Sequence, residues 1–125
     1  MKRLNKTELQ IMKCLWKIEK GFMKEIVSHF SEPVPAYTTI STFLGRMVDN
    51  RYVGFEKLGR DKQYYPLLQK NEYYSVQVKD IVSNFFNNSS SQFASFFTEN
   101  TDFSMKELKE LQELVQKKIA QKKKD

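Results

Sequence analysis

Histidine and cysteine occur once each in this chain of 125 residues, as His29 and Cys14, and glycine only four times. A single cysteine leaves no disulfide framework within one chain, and a metal site would have to be built almost wholly from carboxylates. Nucleophilic catalysis needs a nucleophile, a base and an orienting group held together. His29 stands beside apolar Phe30 and near Ile26 with no obvious partner, so it reads as structural. Cys14 falls between Met12 and Trp16 in a helical pattern, the setting of a small buried thiol. Gly21, Gly45, Gly54 and Gly59 are too scattered for a phosphate-cradling loop of either the Walker or the dinucleotide kind. No enzyme, no cofactor and no metal centre is expected. No apolar run approaches the ~18 residues of a membrane-spanning helix, and the stretch from Met1 to Lys6 leads into a polar helix start without a signal-peptide core. Together these absences predict a soluble cytoplasmic protein with no membrane insertion.

What is present is aromatic and basic. Ten Phe, six Tyr and one Trp make up 14% of the chain, too many for a disordered polymer. The length suits one compact domain with room for an appended arm. Twenty-one Lys and Arg against fifteen Asp and Glu give a net charge of +6. All of that excess lies in residues 1–70, with thirteen basic and seven acidic side chains, whereas residues 71–125 carry eight of each. A basic first half and a neutral second half suggest a polyanion partner for the first and self-association for the second.

Local signals divide the chain further. Asn5 followed by Glu8 has the form of a capping box, and Leu9, Met12, Leu15 and Trp16 follow at helical spacing, predicting a first helix over Lys6–Ile18 that Gly21 ends. Residues 22–30 form a second, short amphipathic helix through Phe22, Ile26, Val27 and Phe30, broken by Glu32-Pro33-Val34-Pro35. Pro35 suits the opening turn of a third helix, over about 37–50, with Ile40, Phe43, Leu44 and Met47 on one side. After Asn50 the period becomes two. Residues 52–58 and 63–67 read as a β-hairpin around Gly59-Arg60-Asp61-Lys62, with Pro66 at the end of an edge strand. Helical spacing resumes over 72–86 through Tyr74, Val78, Ile81, Val82 and Phe85, and Asn87-Asn88-Ser89-Ser90-Ser91 breaks it. A short aromatic segment, 93–97, precedes a last helix over 104–121, opened by a Ser104/Glu107 capping box and followed by a frayed lysine end.

Three helices followed by a hairpin is the order in which a third helix can enter the major groove, ~12 Å wide, with the hairpin flanking it as a wing. On that reading Tyr37, Thr38, Thr39, Ser41, Thr42 and Arg46 form the outward, DNA-binding face, and Arg60 and Lys62 at the hairpin tip meet a neighbouring phosphate or the minor groove. Lys6 and Lys24 add backbone contacts.

Three ordered stretches carry a resemblance: Leu4-Asn5-Lys6-Thr7-Glu8-Leu9-Gln10-Ile11-Met12-Lys13-Cys14-Leu15-Trp16, then residues 39–47 from Thr39 to Met47, then Gly59-Arg60 through Tyr64-Tyr65-Pro66-Leu67. They resemble the successive signatures of the BlaI/MecI/CopY transcriptional repressors, the penicillinase repressor family. The resemblance implies a homodimer on an inverted-repeat DNA operator, with one recognition helix in each major groove and dimerisation through the C-terminal helices. It also implies release by a membrane-sensor-linked protease that cuts the C-terminal region, at a place matched here by Ser95-Phe96-Phe97, with the cut at Ser95-Phe96 or Phe96-Phe97, although the Asn of the family's Asn-Phe bond is missing. The paired C-terminal cysteines of the copper-responsive branch are absent.

A dimer is also expected without the family. The seam Leu108, Leu111, Val115 and Ile119 and the aromatic residues Phe93, Phe96 and Phe97 would be uncovered in a monomer. A two-fold partner would cover them and set two recognition helices about one DNA turn, ~34 Å, apart. The expected fold is therefore mainly α with a small β-hairpin wing: a winged helix-turn-helix DNA-binding domain over 1–70 and a helical dimerisation domain over 71–125. The alternative is a winged-helix protein-interaction module without DNA binding, distinguished by binding that is insensitive to salt.

Overall fold

Asn5 caps the first helix. Its side-chain oxygen accepts from the Glu8 N–H at 2.8 Å, while the Glu8 carboxylate accepts from the Asn5 N–H at 2.9 Å. This is the reciprocal cap that the sequence predicts, and α1 (Lys6–Ile18) follows. The computed structural model describes residues 3–125, which form two compact units, one ending at Asp80 and one beginning at Ile81.

In the first unit α1 is followed by β1 (Gly21–Phe22), α2 (Met23–Ser28), α3 (Tyr37–Asp49), β2 (Val53–Leu58) and β3 (Asp61–Pro66), and α4 (Lys70–Phe85) begins in it. α1 sends Ile11, Met12, Cys14 and Leu15 inward, α2 sends Ile26, and α3 sends Ile40, Leu44 and Met47. Together with Val53, Leu68 and Tyr73 they make one core. Because i, i+4 and i+7 share a helix face, the spacing of Ile40, Leu44 and Met47 alone determines which side of α3 is left outside.

The hairpin has acquired a third strand. The sheet order is β1-β3-β2, all antiparallel, with Gly21 opposite Tyr64 and Phe22 opposite Gln63. Two residues leave no periodicity to read, which is why local pattern shows only the other two strands. Pro66 therefore ends the central strand, not an edge strand; β1 pairs with β3 only at Gln63 and Tyr64, so Pro66 lies beyond the three-stranded part, where a missing donor is tolerated. Leu58 pairs with Asp61, so the turn is only Gly59-Arg60, and Asp61 and Lys62 belong to the strand. Gly59 has φ +66 at the first central position of that turn, the place where a two-residue hairpin asks for glycine.

Other departures are local. α1 ends at Ile18 through Glu19, which adopts φ 70 and donates its N–H to the Leu15 carbonyl. Gly21 instead starts β1, where an added Cβ would lie 2.5 Å from Ile18 Cδ1. Pro35 precedes Ala36, the N-cap of α3, and so stands just outside the helix. His29 is exposed at the end of α2. Its Nδ1 lies 2.9 Å from the Glu25 carbonyl oxygen; a carbonyl only accepts, so the ring donates there and closes the helix end.

α4 departs from its apolar stripe. Its buried residue is Tyr73, whose hydroxyl accepts from the Leu4 N–H at 2.9 Å, whereas Tyr74, Val78, Ile81 and Phe85 are exposed. Trp16 is tied to the chain entering α4 by its indole N–H, which donates to the Leu68 carbonyl at 2.8 Å.

The second unit holds the end of α4, then α5 (Ser90–Asn100) and α6 (Met105–Lys124). Asn87 and Asn88 adopt positive φ, Ser89 caps α5, and the aromatic segment is thus part of an eleven-residue helix. Ser104 and Glu107 form the predicted capping box of α6, which continues through Lys122, Lys123 and Lys124. Those lysines complement the negative end of the helix dipole. Four aromatic contacts hold this unit: Phe86 with Phe93 and Phe96 at 5.5 and 5.4 Å, Phe93 with Phe97 at 5.8 Å, and Phe97 stacked on Phe103 at 5.3 Å. None of its residues is fully buried.

Candidate nucleic-acid interface

α3 and the wing present the two halves of a cationic, hydroxyl-rich surface. Tyr37, Thr38, Thr39, Ser41, Thr42 and Arg46 are all exposed, because Ile40, Leu44 and Met47 occupy the buried side. Ala36 supplies no side-chain cap, so the first-turn N–H groups of α3 lack the usual side-chain partner. With 1.5 Å of rise per residue, Tyr37 and Arg46 are separated by about 13 Å along the axis, the length of about four base pairs.

Two side chains on α3 are already committed. The Thr42 hydroxyl donates to the Thr38 carbonyl at 2.8 Å. What Thr42 offers outward is an acceptor lone pair and a methyl group, not the hydroxyl donor that the sequence suggests. The Arg46 guanidinium lies 5.3 Å from the centre of the Phe43 ring; such stacking restricts its rotamers while leaving its donors free at the rim.

On the wing, Arg60 sits in the two-residue tip and Lys62 lies one step into β3, its ammonium 4.5 Å from the centre of the Phe55 ring. Directly across from Lys62 is Lys57, which the sequence reading missed. Like charges facing each other across strands are destabilising unless an anion lies over them. Once the turn is known to be the two residues Gly59-Arg60, the pairing of Leu58 with Asp61 and of Lys57 with Lys62 follows.

Four of the eight expected interface residues converge. A cleft of about 540 Å³ is lined by Tyr37 and Ser41 of α3, Arg60 and Lys62 of the wing, and Lys24 and Glu25 of α2, with Tyr64 among its other walls. Burial, and then the neighbouring Tyr37 phenol, push the Tyr64 hydroxyl above its ordinary pKa, so it stays a neutral donor. Thr38, Thr39, Thr42 and Arg46 do not line this cleft and lie elsewhere on the exposed side of α3. Lys6 is also exposed, outside it.

The groups expected for self-association lie in the second unit. Phe96, Phe97, Leu108, Leu111, Val115 and Ile119 are exposed there, and Phe93 is half-buried against Phe86 and Phe97. Ser95 and Phe96 stand in the middle of α5, where the Thr98 hydroxyl donates to the carbonyls of Ala94 and Ser95.

Burial, helped by the charge of Glu25 and opposed by Lys17, pushes the Cys14 thiol up to about 11, so the thiolate is scarce at neutral pH. Among the described residues no three His, Cys, Asp or Glu side chains cluster as a metal site would require, and no helix is long and apolar enough to cross a membrane.

Residues 4–117 match the profile of the penicillinase repressor family. The penicillinase repressor of Bacillus licheniformis is 25% identical over 115 residues, covering 91% of this chain and 90% of that protein. A solved CopR repressor structure is 28% identical, with a TM-score of 0.46, over 54% of this chain and 100% of that chain. With a mainly helical winged helix, an outward hydroxyl-bearing α3 and a match across nearly its whole length, this chain belongs to the penicillinase repressor family and is a DNA-binding transcriptional repressor, not an enzyme.

Proposed function

We propose that the chain silences a β-lactam-resistance type of gene in the cytoplasm by occupying an inverted-repeat operator as a homodimer, one α3 in each of two major grooves. The division of labour is a winged-helix DNA-binding domain over 1–70 and a dimerisation domain over 71–125. The observation that carries this reading is the split of α3: one side is locked into the core by Ile40, Leu44 and Met47, and the other leaves Tyr37, Thr38, Thr39, Ser41, Thr42 and Arg46 exposed.

Roles follow from chemistry. The cleft between α3 and the wing takes one backbone phosphate, held by Arg60 and Lys62 with the Tyr37 and Ser41 hydroxyls, which positions the protein without reading sequence. Arg46, braced by Phe43, reaches a guanine edge with two parallel donors. Thr42 presents its lone pair to a base amino group or its methyl to thymine. Thr38 and Thr39, in the uncapped first turn, face a second phosphate.

Two substitutions separate reading from positioning. Arg46→Ala should cost roughly 1 to 3 kcal/mol on the operator and relax base choice at one position, measured by titration against operator and random duplexes. Equal losses on both would reassign Arg46 to the backbone. Arg60→Ala should weaken both equally and flatten the slope of log K against log salt by about one. An unchanged slope would take the wing out of the interface.

The dimer is supported by the second unit, in which no residue is fully buried; so few residues without a core need a partner to stay folded. Release by a membrane-sensor-linked protease at Ser95-Phe96 belongs to the same reading. Both residues are helical, so α5 must open locally before a protease can engage an extended strand. An intact chain after induction in cells carrying the sensor would refute that step.

A further inference from the structure

A second concavity of the first unit shares no lining residue with the interface cleft. It is formed by Lys13, Trp16 and Lys17 of α1 and by Lys70 and Tyr74 of α4, and it encloses about 460 Å³. That volume falls in the range of small-molecule sites, which pair apolar walls with a few charged groups that fix orientation. We propose that this pocket binds a small organic anion of nucleotide size, with phosphate or carboxylate groups on the three ammoniums and a planar ring against the Trp16 and Tyr74 side chains.

The aromatic wall is held by contacts within the protein. Trp16 is held by its indole hydrogen bond to the Leu68 carbonyl at 2.8 Å and by the Tyr74 ring set edge-on at 5.7 Å. The Lys70 ammonium lies 5.8 Å from the centre of the Tyr74 ring. Lys13 and Lys17 are one helical turn apart on α1, so their ammoniums leave the same face. Like charges at that spacing repel, and the third ammonium, Lys70, raises the cost, so the arrangement is one that an anion relieves. The interface reading makes no use of these five residues. A pure polyanion would need only the charges; the ordered Trp16-Tyr74 pair is what favours a ligand that also carries a ring.

Trp16 is the only tryptophan in the chain, so its emission reports on this pocket directly. The full-length protein is titrated with ATP, with inorganic triphosphate and with adenosine. The expected result is saturable quenching by ATP, tighter than by triphosphate or adenosine alone. Lys17→Ala and Lys70→Ala, both at exposed positions, should each weaken ATP by about tenfold or more, the worth of one charge-assisted hydrogen bond. Arg46→Ala and Arg60→Ala should leave ATP binding unchanged. The proposal is overturned if quenching does not saturate, if triphosphate binds as tightly as ATP, or if the interface variants and not the lysine variants abolish the signal. Because the readout is independent of DNA, operator binding can fail while this site stands, and the reverse.

Discussion

Charging the α6 seam with Leu111→Glu and Val115→Glu together should convert the proposed homodimer to a monomer in sedimentation velocity and weaken operator binding by about a hundredfold or more. The size of the effect follows from linkage. When two winged helices are joined, the second half-site binds at an effective concentration set by the linker, and that gain disappears with the dimer. Both side chains are exposed in a single chain, Leu111 at 36% and Val115 at 58%. Carboxylates there would set like charges into the apolar contact of the proposed dimer, which costs several kcal/mol per buried ion. Binding of one isolated half-site should be nearly unchanged, since α3 and the wing are untouched. A dimer that persists in the double variant would remove α6 from the interface.

Leu44→Ala should destabilise the first unit by about 2 to 5 kcal/mol in urea unfolding followed by Trp16 emission. Leu44 is 1% exposed, and with Ile40 and Met47 it forms the whole buried side of α3. Its truncation removes apolar contacts and leaves a cavity that the surrounding α1 and β2 side chains close only in part. Total stability of a domain is commonly about 5 to 15 kcal/mol, so this one change takes a large share of it. Thr42→Ala is the matched control. Thr42 is exposed two residues away on the outer side, and its loss should stay within about 0.5 kcal/mol. A loss below about 1 kcal/mol at Leu44 would mean that α3 is not held by this core.

How legible the fold was depends on the range of the interaction concerned. The two capping boxes, at Asn5/Glu8 and Ser104/Glu107, are visible three residues apart and stand as hydrogen bonds of 2.8 to 3.1 Å. The inward set of α3 is likewise a local pattern. The wing was legible as a hairpin, but its register was not, since the run Gly59-Arg60-Asp61-Lys62 also reads as a four-residue loop. One consequence was that Lys57 went unnoticed opposite Lys62. The exposed side of α3 could be named from sequence, but not that Tyr37 and Ser41 share a cleft with Arg60 and Lys62 while Arg46 stands outside it.

Periodicity, caps and turn chemistry, all written within a few neighbouring residues, determined the helices, the hairpin and the outward face of α3. Tertiary structure decided what those elements meet. β1 exists because Gly21 finds Tyr64; Tyr73, not Tyr74, is buried because its hydroxyl reaches the Leu4 N–H, 69 residues away; and Thr42 loses its donor to a helix carbonyl. The reason is physical: a local preference is set by the chain's own sterics and hydrogen-bonding groups, whereas a pairing between distant segments exists only once the core has brought them together and paid the entropy of closing the loop.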